Sequence, residues 1–287
     1  MACGGSYATI PERSEEATAT AADSSRILYI NFHSDILGAD REYTLYLPAG
    51  YDTDTTRHYP VLYLLHGMLD DNRCWQVRAS LKQVADELIE GGKAAPMIIV
   101  TPLAGGEANK DWNGYFNMPG WAYEDFFFKE FMPHIERTYR IHADRNYRAV
   151  AGLSMGGGAA TSYAQRYPHL FSSCYAMSAL MDTAKLPGQQ AGPNSMVGLF
   201  TASVKRHCTS RFVEQASEET RQQLRTVRWY VDCGDHDFLL ATNKAFVTAM
   251  QQAQIPLTVQ YRPGRHSWTY WHSGLYICLP FVSRGWQ

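Results

Sequence analysis

The chain has 287 residues, 45% of them hydrophobic and 19% charged, with a formal net charge of -2 at neutral pH. That length and apolar content can bury a substantial core as one domain. The balanced charge, with no clustered basic stretch, argues against nucleic acid or an anionic membrane as the main partner, and no apolar run reaches the roughly 18 residues of a membrane span.

Residues 1–25 are rich in Ala, Ser, Thr and Glu and follow neither the strand nor the helix period, so they read as a flexible leader. The folded domain is expected over 26–287. Cys3, followed by small residues and a polar tether, is similar to the mature end of a bacterial lipoprotein, which implies a secreted, periplasmic or lipid-anchored protein. An ordinary cytoplasmic leader with a chance cysteine is the other reading.

Beyond the leader, strand patterns fall at 27–33, 43–47, 61–66, 97–101, 148–151, 172–177, 228–232 and 257–261. Several are continuous apolar runs, which suit strands covered on both faces. Helical patterns fall at 81–89, 123–139, 239–252 and 268–279, with another directly after residue 154 that ends near Pro168. The segment 180–209, broken by Pro187, Gly188, Gly192, Pro193 and Gly198, predicts an irregular, lid-like insertion over the site. The alternation predicts an α/β fold: a doubly wound, mostly parallel sheet with helices on both faces. Ligands of such sheets bind at the carboxyl ends of the strands.

Gly152-Leu153-Ser154-Met155-Gly156 carries the strongest chemical signal. An apolar strand runs into a G-x-S-x-G turn and then a helix of small residues, the context in which a serine hydroxyl is lifted clear of the backbone as a nucleophile. For this fold an acid and then a histidine should follow in the chain. The strand at 228–232 leaves into Cys233-Gly234-Asp235-His236-Asp237, and the strand at 257–261 leaves into Gly264-Arg265-His266-Ser267-Trp268. His266 is the best-placed base, since His236 sits beside the acid and His272 falls inside a helix. Among the acids, Asp232 still belongs to the strand; Asp237, past the turn, is preferred, with Asp235 second. Such a carboxylate would fix the imidazole tautomer and stabilise the imidazolium.

An oxyanion hole needs two backbone N–H groups, one from the residue after the nucleophile and one from an earlier strand-end loop. Met155 fits the first, and Met68, after His66-Gly67, fits the second; a plain tight turn with His66 capping the strand is the other reading of that loop. The six cysteines have no C-x-x-C spacing, and Cys174 and Cys233 lie in apolar strand patterns, where buried thiols are common. The ten histidines form no H-x-x-x-H pair. Neither a metal nor a cofactor is called for.

On Leu65-His66-Gly67-Met68 with Trp75, on Gly152-Leu153-Ser154-Met155-Gly156-Gly157, on Cys233-Gly234-Asp235-His236-Asp237 and on Gly264-Arg265-His266-Ser267-Trp268, the chain over about 26–283 resembles the esterase D-like group of α/β-hydrolases. That group includes the feruloyl and acetyl xylan esterases of carbohydrate esterase family 1. In its pattern the acid is the last Asp of C-G-x-x-D, which falls on Asp237. The resemblance implies a serine carboxylesterase acting on a small ester or a feruloylated or acetylated oligosaccharide of the plant cell wall. The aromatic content favours feruloyl over acetyl, with Trp112, Tyr115 and Trp268 as candidate substrate-binding residues. The alternatives are an acetyl xylan esterase, an S-formylglutathione hydrolase-like thioesterase and, from another class, a carbohydrate-binding protein with an unused site.

Overall fold

The computed structural model describes residues 24–105, 114–183 and 192–286. Residues 1–23 of the leader, Cys3 among them, Trp112 and, within the expected insertion, Pro187 and Gly188 lie outside the described residues.

Among the described residues there are ten strands: β1 (Arg26–Ser34), β2 (Ala39–Leu47), β3 (Val61–Leu65), β4 (Ile98–Pro102), β5 (Asn117–Met118), β6 (Trp121–Ala122), β7 (Arg148–Leu153), β8 (Ser173–Met177), β9 (Arg228–Gly234) and β10 (Thr258–Arg262). Eight form one sheet in the order β1-β2-β4-β3-β7-β8-β9-β10, and β5 and β6 make a separate two-stranded hairpin. β2 pairs antiparallel with both β1 and β4, and every pairing from β4 to β10 is parallel. This is the α/β-hydrolase sheet.

The strand chemistry follows position in the sheet. Central β3, β4, β7 and β8 are buried at every residue, as expected of parallel strands sandwiched between helices. Edge strand β1 alternates toward solvent. Along β3 the pleat sends Val61, Tyr63 and Leu65 into one core and Leu62 and Leu64 into the other. On the second face α1 (Cys74–Ala79), α2 (Leu81–Glu90) and α10 (Trp268–Val282) pack over Leu62, Ile99, Ala149 and Tyr175. The first is covered by α4 (Met132–Thr138), α5 (Ser154–Arg166) and α9 (Leu240–Gln252).

Two predicted elements differ in form. The helix expected over 123–139 is α3 (Tyr123–Asp125), a π-helical turn (Phe126–Phe131) and then α4. Pro133, at the start of α4, has no N–H to continue an unbroken ladder, so the hydrogen bonding changes register just before it. The insertion over 180–209 is not irregular throughout, since α6 (Met196–Arg206) occupies its second half. Ser195 caps that helix by accepting the Gly198 N–H at 3.1 Å. Gly198 acts there as a point of close approach, because a Cβ at that position would lie 2.3 Å from the Gly192 carbonyl oxygen. The short helices α7 (Thr209–Glu214) and α8 (Glu218–Leu224) lead on to β9. No described helix is long and apolar enough to cross a membrane.

Because β3, β7, β9 and β10 are parallel, their carboxyl ends share one edge of the sheet. His66, Ser154, Asp237 and His266 all lie just past those ends.

Candidate active site

Ser154 stands at the corner between β7 and α5 with φ 52, a left-handed conformation that costs a residue with a side chain of order 1–3 kcal/mol. Such strain persists only where the surroundings enforce it. Here the turn is so tight that a Cβ on Gly152 would lie 2.5 Å from the Gly156 carbonyl, and one on Gly156 would lie 2.5 Å from the His66 oxygen. The two glycines therefore let β7, α5 and the His66 loop close on one point. Met155, the second residue of α5, has its N–H among the first four of the helix, which lack an intrahelical acceptor.

His266 Nε2 lies 3.0 Å from Ser154 Oγ. Its Nδ1 lies 2.9 Å and 3.1 Å from the two oxygens of Asp237. The Asp237 side chain is fully buried and also accepts the Leu239 N–H at 2.8 Å. The imidazole is wedged between the Phe238 ring, 4.5 Å away, and the Trp271 ring, 4.8 Å away. The three residues are thus in one hydrogen-bonded line, with the ring held by both its carboxylate and its aromatic neighbours.

The two competing aspartates do other work. Asp235 accepts the Gly264 N–H at 3.0 Å, while its own N–H donates to the Arg262 carbonyl and that of His236 to the Gly264 carbonyl. It ties the acid-bearing loop to the histidine-bearing loop. Asp232 is wholly buried and holds Arg262 through two hydrogen bonds, 3.0 and 2.7 Å, with Tyr175 and Tyr270 donating to the same carboxylate.

On the β3 side, His66 is completely buried. Its Nδ1–H donates to the Gly67 carbonyl at 2.8 Å and its Nε2 accepts the Ala104 N–H at 2.9 Å, which defines a neutral tautomer. Burial pushes its pKa down to about 4. It is a strut for the loop that presents Met68. The next residue, Leu69, has φ 64 and is 57% exposed at the mouth of the site.

Tyr115, expected to bind substrate, does not reach the site. It is fully buried, with its hydroxyl bonded to the His66 backbone and its own carbonyl accepting the Tyr163 hydroxyl. A tyrosine that can satisfy its polar end inside the protein packs in the core. Trp268 does border Ser154, though not in the apolar pocket; it lines a second hollow with Asp70 and Arg78. The apolar pocket, of about 390 Å³, opens on Ser154 and His266 and is lined by Met68, Leu180, Val197, Phe200 and Phe238, among others. These residues come from separate elements; apart from Met68, which the His66-Gly67 loop already marks, only the breaker-rich insertion, which supplies Leu180, Val197 and Phe200, points to them in the sequence. Among the described residues no group of three or more His, Cys, Asp or Glu could hold a metal ion, and five cysteines are free and buried.

Residues 34–281 match the family model described as "Putative esterase". A solved ferulic acid esterase superposes with a TM-score of 0.88 at 48% identity, over 91% of this chain and 98% of its own. An endo-1,4-beta-xylanase/feruloyl esterase of Xylanibacter ruminicola is 31% identical over 168 residues, 56% of this chain and 23% of that protein. Esterase Rv1288 of Mycobacterium tuberculosis is 34% identical over 150 residues, 52% of this chain and 31% of that protein. The chain therefore spans less than a third of the length of these two relatives. With a family match across most of its length and a nearly complete superposition on a solved member of the same fold, the chain belongs to the Esterase family of α/β-hydrolases.

Proposed function

We propose that the protein is a feruloyl esterase that works through Ser154, His266 and Asp237 by way of an acyl-enzyme. The observation that carries the proposal is the hydrogen-bonded line Ser154–His266–Asp237 at the floor of an apolar pocket. In this reading Ser154 Oγ attacks the ester carbonyl carbon while His266 Nε2 takes its proton. Asp237 holds the other ring nitrogen and stabilises the imidazolium that forms. The N–H groups of Met155 and Met68 receive the developing oxyanion, where one such donor is worth about 10²–10³ in turnover. Collapse of the tetrahedral intermediate breaks the bond to the alcohol, which leaves with the proton from His266. Water then repeats the sequence on the acyl-enzyme.

Support for a cinnamoyl acyl group comes from the pocket, whose volume of about 390 Å³ and lining by Leu180, Val197 and Phe200 suit a planar aromatic group. The 48% identical neighbour and the Xylanibacter relative carry feruloyl ester hydrolysis in their names. A polysaccharide ester cannot enter a cell, so the same reading carries a secreted, periplasmic or surface-held enzyme, which cell fractionation would test. For the activity, the decisive comparison is kcat/KM on methyl ferulate and methyl acetate, together with labelling of Ser154 by a fluorophosphonate. Faster turnover of the ferulate and loss of labelling in Ser154→Ala are expected. Preference for acetate would move the acyl group, and labelling that survives Ser154→Ala would remove the nucleophile.

A further inference from the structure

The last ladder pairing of β8 sets Met177 against Asp232, and there the chain turns off the sheet. The turn runs through Ser178, which is fully buried and has φ 44, the left-handed region that residues with side chains rarely adopt. Such a conformation persists only where the surroundings enforce it. Asn243 of α9, also fully buried, supplies that enforcement at the next residue. Its Oδ1 accepts the Ala179 N–H at 3.3 Å and its Nδ2 donates to the Ala179 carbonyl at 2.8 Å, so one amide meets both backbone groups of a residue as a neighbouring strand would. Nδ2 also donates to the Leu239 carbonyl at 2.9 Å.

We infer that Asn243 is a positioning residue for the proposed reaction, fixing the nucleophile and the acid relative to each other without touching substrate. This role rests on Ser154 being the nucleophile and Asp237 its acid. The turn carries Leu180, whose N–H donates to the Ser154 carbonyl at 2.8 Å and whose side chain lines the apolar pocket. It is pressed against the start of α5: a Cβ on Gly157 would lie 2.8 Å from Ala179 Cβ, and one on Gly158 would lie 2.1 Å from the Leu180 carbonyl oxygen. On its other side Asn243 holds the carbonyl of Leu239, the residue whose N–H donates to Asp237 at 2.8 Å.

An apolar side chain at position 243 could fill the space but could not make these bonds. Ala179 is wholly buried, so its N–H would be left without a partner and its carbonyl would keep only the Met181 N–H at 3.0 Å. A buried backbone group without a partner is costly, so the turn would shift to find one and Ser178 would relax toward an unstrained φ. Leu180 moves with that turn, which releases the Ser154 carbonyl and displaces the pocket wall. A misplacement of about 1 Å at the reacting atoms can cost about 10²-fold in rate.

The test compares Asn243→Leu, which keeps nearly the same volume and removes the side-chain hydrogen bonds to Ala179 and Leu239, with Met250→Ala, which opens a cavity in the core farther along α9. Both should lower Tm, and both are assayed well below it on whichever of methyl ferulate and methyl acetate wild type cleaves faster. In Asn243→Leu kcat should fall about 10- to 100-fold with KM changed less than about threefold, and fluorophosphonate labelling of Ser154 should slow in step. Met250→Ala should stay near wild type in all three. Adding Ser178→Gly to Asn243→Leu should restore kcat severalfold and help the variant fold, because glycine adopts the left-handed turn without strain. A loss in Asn243→Leu no larger than in Met250→Ala, or one carried by KM, would overturn the positioning role, as would a double variant no faster than Asn243→Leu alone. Ser154→Ala separates the premise. Activity kept there removes the nucleophile and this role with it, whereas activity lost in Ser154→Ala and kept in Asn243→Leu removes the role of Asn243 alone.

Discussion

The Tyr115 hydroxyl accepts the His66 N–H at 2.7 Å and donates to the His66 carbonyl at 3.1 Å, so one side chain holds both backbone groups of the residue that opens the Met68 loop. Both partners are fully buried. Tyr115→Phe would leave them without a hydrogen bond, a loss of about 2 kcal/mol. For a chain of this size that is a fall in Tm of roughly 4–8 °C. With the loop loosened, kcat should fall about tenfold while KM changes less if the Met68 N–H acts on the transition state as proposed. A variant with wild-type Tm and kcat would show that the clamp is idle.

Ser154→Ala and His266→Ala should each lower turnover by several orders of magnitude, and the double variant should be scarcely worse than either, because nucleophile and base act as a unit. Asp237→Asn should cost about 10⁴ by presenting the wrong hydrogen-bonding partner to Nδ1. Asp235→Asn should cost less than about tenfold, since its carboxylate holds a backbone N–H of the next loop and not the imidazole. Steady-state kinetics on methyl ferulate would reverse this assignment if Asp235 proved the more costly of the two.

Stability should fall on the acid side of neutrality through His66. Burial holds its folded-state pKa near 4, whereas in the unfolded chain an imidazole titrates near about 6.5. Between those values the unfolded chain binds a proton that the folded chain refuses. Stability from the neutral buried ring is therefore complete above about 6.5 and lost as pH falls toward 4, by roughly 3 kcal/mol in all. Urea unfolding at pH 7 and pH 5 would measure it. His66→Gln should be less stable at both, yet its difference between the two pH values should be smaller than wild type's by about 2 kcal/mol.

The features legible from sequence are those written locally. A strand that ends in Gly152-Leu153-Ser154, and two others that end in acidic and histidine-bearing loops, each announce themselves within a few residues, and parallel pairing brings those ends to one edge. The choice of Asp237 over Asp232 follows the same logic, because Asp232 stays in β9 and is taken up by Arg262. What could not be read is where an aromatic spends its polar end. Tyr115 looks like a pocket residue from its neighbours in sequence, and only its bonds to His66, 49 positions away, show it to be a strut. The pocket lining was hidden for the same reason, as Leu180, Val197, Phe200 and Phe238 meet only after β8, α6 and the loop past β9 have packed. The hollow of Asp70 and Trp268 joins residues almost 200 apart, with no local pattern to mark it.

Acyl selectivity should be decided by α6. Val197, Phe200 and Thr201 project from that helix into the pocket that opens on Ser154, and Leu180 faces it from the segment after β8. Burying an aromatic ring there is worth roughly 1.5–3 kcal/mol, so methyl ferulate should exceed methyl acetate by about 10- to 150-fold in kcat/KM if the contact persists in the transition state. Using one alcohol for both esters keeps leaving-group chemistry out of the comparison. Val197 is half-buried at the pocket wall, so Val197→Trp should fill the space the ring requires without touching Ser154, His266 or the Met68 loop. The ferulate to acetate ratio should then drop at least tenfold, with the loss on ferulate appearing in kcat/KM, because an acetyl group needs only the part of the pocket next to Ser154. A ratio that stays put in Val197→Trp would mean that the acyl chain lies elsewhere and that α6 does not select it.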